Sequence, residues 1–272
     1  MPGESPQQLL QRRTAAHYDA FPFEFMTPED EAGIEKLQPR PFLRFVESHA
    51  RPGMSVGDLG CGPGRATMYL TRKDLEVTAF DLSRTSLALA RRRAPRARFV
   101  QGSNLDLPFA DESFDLVVSD GVIHHTPDAY RAFRENVRVL KRGGNMYLGV
   151  YNRHRYYFYL YTFLGAPLRY MERHIAGRAV IYVGIFPLYY IAHLVKSRGK
   201  RTFGGVRNFF YDYIMTPRAS FHSRQEIAGW AAQAGLELLD YDPSPGNVHT
   251  FALRKIAVDS GRSSGSRPHR ND

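Results

Sequence analysis

The chain has 272 residues, of which 43% are hydrophobic, 24% charged and 13% aromatic. That composition fits one three-layer α/β domain with a single elaboration and excludes collagen-like, coiled-coil and fully disordered classes. The formal net charge of +10 is unevenly placed: residues 1–152 carry 20 basic against 19 acidic side chains, 219–272 carry 6 against 6, and 153–218 carry 11 against 2. The surplus therefore belongs to one segment, which also holds 16 of the 35 Phe, Tyr and Trp residues. A single cysteine, Cys61, leaves no intramolecular disulfide and no cysteine-based zinc site, which points to a reducing cytoplasm.

In chain order, the amino terminus MPGESPQQLLQRRT lacks the apolar core of a secretory signal. Short β-branched or apolar runs then alternate with helical patterns, the signature of a doubly wound parallel sheet. The predicted strands are MSVGDLG (54–60), EVTAF (76–80), ARFVQG (97–102), FDLVVSD (114–120) and NMYLGVY (145–151). Helices are expected over 64–73, 83–93 and 128–140, the last stopping at Gly143 and Gly144.

Residues 153–218 break this rhythm with two apolar stretches, YYFYLYTFLGAPLRYM and AVIYVGIFPLYYIAHLV, flanked by Arg173, Arg178, Lys196, Arg198, Lys200 and Arg201. The second is 17 residues long, about 25 Å as a helix against a ~30 Å bilayer core, and it contains Gly184 and Pro187, so a transmembrane span is disfavoured. Three readings stay open: a helical cap closing an apolar acceptor pocket, the same cap dipping into a membrane surface, and a nucleic-acid surface, the least favoured because the apolar runs are too long for a stacking groove. The α/β pattern resumes with the capping box of Ser223 and Glu226, the helix IAGWAAQAGL and the strands LELLDYDP and VHTFALRKIA. The segment is thus an insertion at the carboxyl edge of the sheet, where ligands of open α/β folds bind. Residues 259–272 read as a disordered tail.

The sharpest signal is VGDLGCGPGR at the end of the first strand. Gly60, Gly62 and Gly64 let the backbone turn and approach a ligand, although a tight turn that binds nothing would use the same residues. Asp58 before the glycines suits a cationic amino acid end, and Asp81 at the end of the second strand suits two ribose hydroxyls. Arg65 falls where a dinucleotide fingerprint wants Gly or Ala, which weakens that alternative.

With AFDLS, LDLPFADESFDLVVSDGVIHHTPD and RVLKRGG following in order, the sequence resembles the class I S-adenosylmethionine-dependent methyltransferases, in particular the small-molecule group called type 11. The resemblance implies a Rossmann-like seven-stranded sheet with the last strand antiparallel, S-adenosylmethionine as cofactor, and methyl transfer to an apolar or aromatic small molecule. A lipid or prenylated quinone methylated at a membrane surface is the alternative; a nucleic-acid substrate or non-catalytic cofactor binding is less favoured. It divides the chain into a lid segment (1–50), a cofactor domain (51–152 and 219–258), the cap (153–218) and the tail. It places Asp58, Gly60, Gly62 and Gly64 at the methionine part, Asp81 and Leu82 at ribose and adenine, and Ser103, Asn104 and Leu105 beside the adenine ring, with Ser119 in the fourth strand as a further cofactor contact. The family usually has an acid at the Ser103 position, so that contact departs from the pattern.

Methyl transfer from a sulfonium is a direct displacement in which alignment supplies much of the acceleration, and a base is needed only where the acceptor must lose a proton. His124 and His125, past the fourth strand, are the candidate bases, with a packed or turn-capping ring as the competing role for each. Tyr18 lies in a segment that folds back as a lid in similar proteins, although Phe21, Phe23 and Phe25 around Pro22 read equally as anchors. Arg153, Tyr156, Tyr211 and His222, nearest the ends of the insertion, are the expected acceptor contacts. No metal is called for, and the sequence is silent on oligomeric state.

Overall fold

The computed structural model describes residues 4–22, 32–200, 202–244 and 246–257. Phe23, Phe25 and the tail 259–272 lie outside them. One sheet contains β1 (Ser55–Leu59), β2 (Glu76–Asp81), β3 (Arg98–Gln101), β4 (Phe114–Asp120), β5 (Leu140–Tyr151), β6 (Leu236–Asp242) and β7 (Val248–Lys255). Their order is β3-β2-β1-β4-β5-β7-β6. The first five strands pair in parallel, and β7 runs antiparallel to both neighbours, as expected for a Rossmann-like sheet of this type. The order reverses between β1 and β4, so their carboxyl ends open a crevice.

Helices cover both faces, which is why β1 and β4 are buried almost throughout. α1 (Pro6–Ala20) precedes α2 (Arg40–His49) and α3 (Arg65–Thr71), followed by α4 (Arg84–Arg93) and α5 (Ala129–Val139). Phe42, Phe45 and Tyr69 of α2 and α3 pack one face against Val56, Leu116 and Tyr147. On the other, Phe133 and Val137 of α5 meet Leu148 and Phe251. Ser83 and Asp128 cap α4 and α5 by accepting from the backbone N–H of Ser86 and Arg131. The expected stop at Gly143 and Gly144 lies instead inside β5: Leu140 already pairs with Phe114, and the ladder shifts register before Leu116. Gly143, at φ 74°, gives that irregularity its left-handed turn.

The insertion folds as three helices, α6 (156–171), α7 (Ile175–Ser197) and α8 (203–215). Each contains one π-helical turn, at Leu160–Gly165, Val180–Ile185 and Tyr211–Met215. α7 has 23 residues, about 35 Å, and is longer than the apolar run read from the sequence because residues 175–178 and 196–197 extend it at its two ends. Leu168, Ile181, Phe186, Phe210, Ile214 and Met215 give the cap its own core. Its two ends meet where β5 finishes: Arg153 N–H donates to the His222 carbonyl (3.0 Å) and His222 N–H to that of Tyr151 (2.9 Å). α9 (Arg224–Gln233) follows, started by the capping box of Ser223 and Glu226.

Candidate active site

At the end of β1 the backbone turns through left-handed conformations that L side chains resist. A Cβ on Gly60 (φ 103°) would come within 2.4 Å of Val122, and one on Gly64 (φ 92°) within 2.9 Å of Ala90, so both glycines answer to packing. Gly62 (φ 52°) meets nothing within 4 Å; its open side belongs to the cavity. Asp81 fastens the loop, with one carboxylate oxygen accepting from Gly62 N–H (2.8 Å) and the other from Ser83 N–H (2.8 Å).

A cavity of about 260 Å³ lies over this turn. Asp58, Gly60, Gly62, Arg65, Asp81 and Leu82 form its floor, Ser103, Asn104 and Leu105 one end, and His125 and Tyr151 the opposite wall. Tyr18 from α1 and Asp212 with Tyr213 from α8 close it from above. Gly64 is not among the lining residues. Ser119 is fully buried in β4 and likewise outside the cavity.

Asp58 is buried, accepts from the Thr67 hydroxyl at 2.6 Å, and is pushed up to about 6 by loss of water. Burial also raises Asp81, against the lowering effect of its backbone donors. Such carboxyls gain most from an arriving cation or hydroxyl pair. Asn104 Oδ1 is buried without a partner, an acceptor suited to an exocyclic amino group. Ser103 is engaged internally, its Oγ accepting from Leu105 N–H (3.1 Å). The set fits S-adenosylmethionine: acids for ammonium and ribose, an amide oxygen for the adenine amino group, and Leu82 and Leu105 as apolar neighbours. Arg65, in the sequence only a mismatch to another motif, lines the floor and binds Asp120 at 2.7 Å.

The two histidines part company. His124 is fully buried, does not line the cavity, and packs against Tyr151 with 3.8 Å between ring centroids and the rings tilted by 32°. Its Nδ1 accepts from Tyr151 N–H (3.3 Å), and its carbonyl accepts from Ser220 N–H (2.8 Å), so it staples the returning end of the insertion to β4 and β5. His125 reaches the cavity. Its Nδ1 lies 2.7 Å from the Arg218 carbonyl, which can only accept, so Nδ1 carries the proton and Nε2 the lone pair. Burial drops its pKa to about 4.

Above them, the Tyr18 hydroxyl donates to Asp212 Oδ1 at 3.4 Å. Asp212 keeps some accessible surface and lines the cavity. Burial pushes its carboxyl up to about 7, partly offset by the Tyr18 bond. α1 is held across the opening at both ends of this contact. Asp19 Oδ1 accepts from Ser83 Oγ (2.6 Å) and Thr85 N–H (3.1 Å) on α4. Phe21 stacks on Tyr211 of α8 at 3.6 Å.

Of the four acceptor contacts expected near the ends of the insertion, none lines the cavity. Arg153 and His222 both bind Glu226, at 3.0 and 2.8 Å, and lock the stem. Tyr156 is 70% exposed on the outer face. Tyr211 is spent on Phe21. Arg65, Tyr151, Asp212 and Tyr213, which line the cavity, and Asp19, which ties α1 to the start of α4, were not singled out as site residues by sequence reasoning. A signal for Asp212 existed: it is one of only two acids among 11 basic residues in 153–218.

Residues 57–148 match a family model described as a methyltransferase domain. An uncharacterized methyltransferase of Synechocystis sp. is 42% identical over 114 residues, covering 41% of this chain and 52% of its own length. A demethylmenaquinone methyltransferase of Beutenbergia cavernae is 34% identical over 139 residues, 48% of this chain and 57% of that protein. The chain thus spans about half the length of these curated relatives. Among solved structures, magnesium protoporphyrin IX methyltransferase from Synechocystis PCC 6803, determined with bound S-adenosylmethionine, superposes with a TM-score of 0.55 at 12% identity, over 90% of this chain and 96% of that one. With the sheet order and the glycine loop, these matches support a class I S-adenosylmethionine-dependent methyltransferase domain in this chain, the family model covering residues 57–148.

Proposed function

We propose that this protein transfers the methyl group of S-adenosylmethionine to an apolar or aromatic small molecule that loses a proton as it accepts the methyl. One observation carries the reading: a single cavity joins the glycine-loop floor to a roof whose one ionisable carboxyl, Asp212, is poised near neutrality. The cofactor, when bound, supplies an activated methyl carbon, so the chain's own task is to align the acceptor and remove its proton. In this reading Asp58 and Asp81 hold the ammonium and ribose ends, Asn104 the adenine amino group, and Tyr151 and Tyr213 pack the acceptor. Asp212 takes the acceptor's proton on a carboxylate oxygen while Tyr18 fixes the group by its hydrogen bond. His125 presents Nε2 as an orienting acceptor, its pKa of about 4 leaving it too weak a base to hold the proton at neutral pH. α1 excludes water over the site.

A relative named a demethylmenaquinone methyltransferase supports a hydrophobic ring acceptor, of which a prenylated quinone is one member. The test is incubation of the purified protein with methyl-labelled S-adenosylmethionine and a cell extract fractionated into organic-soluble molecules, protein and nucleic acid. Label is expected in the organic fraction with the wild type and lost with Asp212→Asn. Label confined to the nucleic-acid fraction would overturn the proposed acceptor class.

A further inference from the structure

The insertion's positive charge does not serve the cavity: among the described residues none of its arginines or lysines lines it, and its one charged contribution there is Asp212. The described cations lie outside the cavity, and so do apolar side chains that no described residue covers. Among the described residues, twelve of the thirteen large hydrophobic side chains that stand most exposed fall between Tyr156 and Phe203. Isolated exposed apolar residues are ordinary, but a set of this size within one insertion, six of them on α7, marks an interaction surface.

α7 concentrates the effect. Its mean hydropathy is 1.5 over a window only 11% buried. Leu188, Ile191 and Val195, three and four residues apart, form one bare stripe, and Val183 and Ile175 are 79% and 87% exposed. The opposite face, through Ile181 and Phe186, packs into the cap core. Exposed Arg173 and Arg178 stand at one end of the helix, and Lys196, Arg198 and Lys200 at the other. Of the insertion's two acids, Asp212 faces inward and Glu172 accepts from the Tyr182 hydroxyl at 2.6 Å.

We infer that the cap docks on an anionic lipid surface, with the bare side of α7 lying in the interface plane and its terminal cations among the headgroups. An apolar stripe bounded by cations is the pattern that seats a helix at a charged membrane. A second copy meeting through the same face would set two positive rims together, and a polyanion such as nucleic acid leaves Val, Ile and Leu side chains uncovered. Spanning is disfavoured by geometry: one side of α7 is fixed to its neighbours, and α6 and α8, at 16 and 13 residues, or about 24 and 20 Å, are too short to accompany it across a ~30 Å core. The site's roof, α8, belongs to the same cap, so docking sets the cavity near the lipid phase that holds apolar molecules.

This inference rests on 153–218 being a cap over the site and not on the transfer chemistry, and cofactor binding measured in the same samples keeps the two apart. The full chain is floated with vesicles of phosphatidylcholine alone or doped with phosphatidylglycerol, at low and high salt. The wild type is expected to bind the anionic vesicles, more weakly as salt rises. Val183→Glu with Leu188→Glu and Ile191→Glu should reduce that binding about tenfold or more with S-adenosylmethionine affinity unchanged, since each places a carboxylate against lipid. Lys196→Glu with Arg198→Glu and Lys200→Glu should remove the preference for anionic vesicles. Absence of binding to either vesicle, or equal binding to both at all salt concentrations, overturns the inference. So does retention in the membrane through an alkaline carbonate wash, which would indicate spanning, or a wild-type dimer in light scattering that the triple glutamate variant converts to monomer.

Discussion

The two walls of the cavity are built by different means. The floor comes from strand ends and one tight turn, where backbone geometry dictates residue type: Gly60 and Gly64 are fixed by contacts of 2.4 and 2.9 Å that any Cβ would make, and Asp81 is held by two backbone N–H groups. The roof comes from helices whose aim depends on packing, and it places one carboxyl and two tyrosines over the floor. The proposed binding groups sit where the fold itself demands particular residues; the proposed acid–base group sits on an elaboration the fold does not require. Disturbing the floor should therefore weaken the cofactor, and disturbing the roof should slow turnover.

The largest effect is expected from the roof. Asp212→Asn keeps the shape and removes the proton acceptor, so turnover should fall by about 10²-fold or more while S-adenosylmethionine affinity by calorimetry is preserved. The same variant should alter stability in a defined direction. Asp212 rises from an ordinary 3.8 to about 7 in the folded chain, so between those values the folded state holds a proton that the unfolded state has released, and stability is lost as pH rises through that window. The wild-type-minus-variant difference in unfolding free energy should therefore decline from pH 4 to pH 7. A flat difference would mean the carboxyl is not raised.

Next comes the joint between the walls. His124→Ala removes a ring packed under Tyr151 and leaves the Tyr151 N–H without its partner, a loss of about 2–4 kcal/mol by cavity formation and an unpaired donor. Thermal unfolding should show it. A variant of unchanged stability but abolished turnover would return His124 to the chemistry.

The floor comes third. Asp81→Ala removes two charge-assisted acceptor sites proposed for the ribose, and with them the tie to Gly62 and Ser83. Cofactor affinity should drop by about 10- to 100-fold, from bonds of roughly 1.5–3 kcal/mol less what water restores. Unchanged affinity in a folded variant would place the ribose elsewhere.

The same contrast explains what could be read in the sequence. The succession of strands and helices and the glycine turn were legible because short β-branched or apolar runs between helical patterns, and glycines at a strand end, have few structural solutions. The cap was legible as a unit from its charge and aromatic content, but not in its facing. Each of its helices contains a π turn, which adds a residue per turn and rotates all that follows, so spacing along the sequence no longer tells which side chains share a face. Asp212 lies within such a turn, Tyr211–Met215. Proximity to the ends of the insertion favoured Arg153 and His222, yet the chain spends both on Glu226 to close the stem. Asp19 was obscure for another reason: its partners Ser83 and Thr85 are more than sixty residues away, and a single exposed-looking acid carries no local signature.

The smallest expected effect probes the link between lid and roof. The Tyr18 hydroxyl reaches Asp212 at 3.4 Å, a long bond, and by favouring the ionised carboxyl it restrains the rise that burial causes. Tyr18→Phe keeps the ring, and with it the edge-to-face contact to His125 at 5.7 Å, but withdraws the donor. If Asp212 must be ionised to take the acceptor's proton, the acid limb of the rate profile reports its pKa, which lies at about 7 in the wild type. In Tyr18→Phe that limb should move to higher pH by about one unit or less, because a bond of roughly 0.5–1.5 kcal/mol is at stake. Turnover should then fall a few-fold at neutral pH and recover toward the wild-type value once the medium is alkaline enough to ionise Asp212 again. A uniform loss across all pH values would instead mean that Tyr18 positions the acceptor, and that the roof's carboxyl is tuned by burial alone.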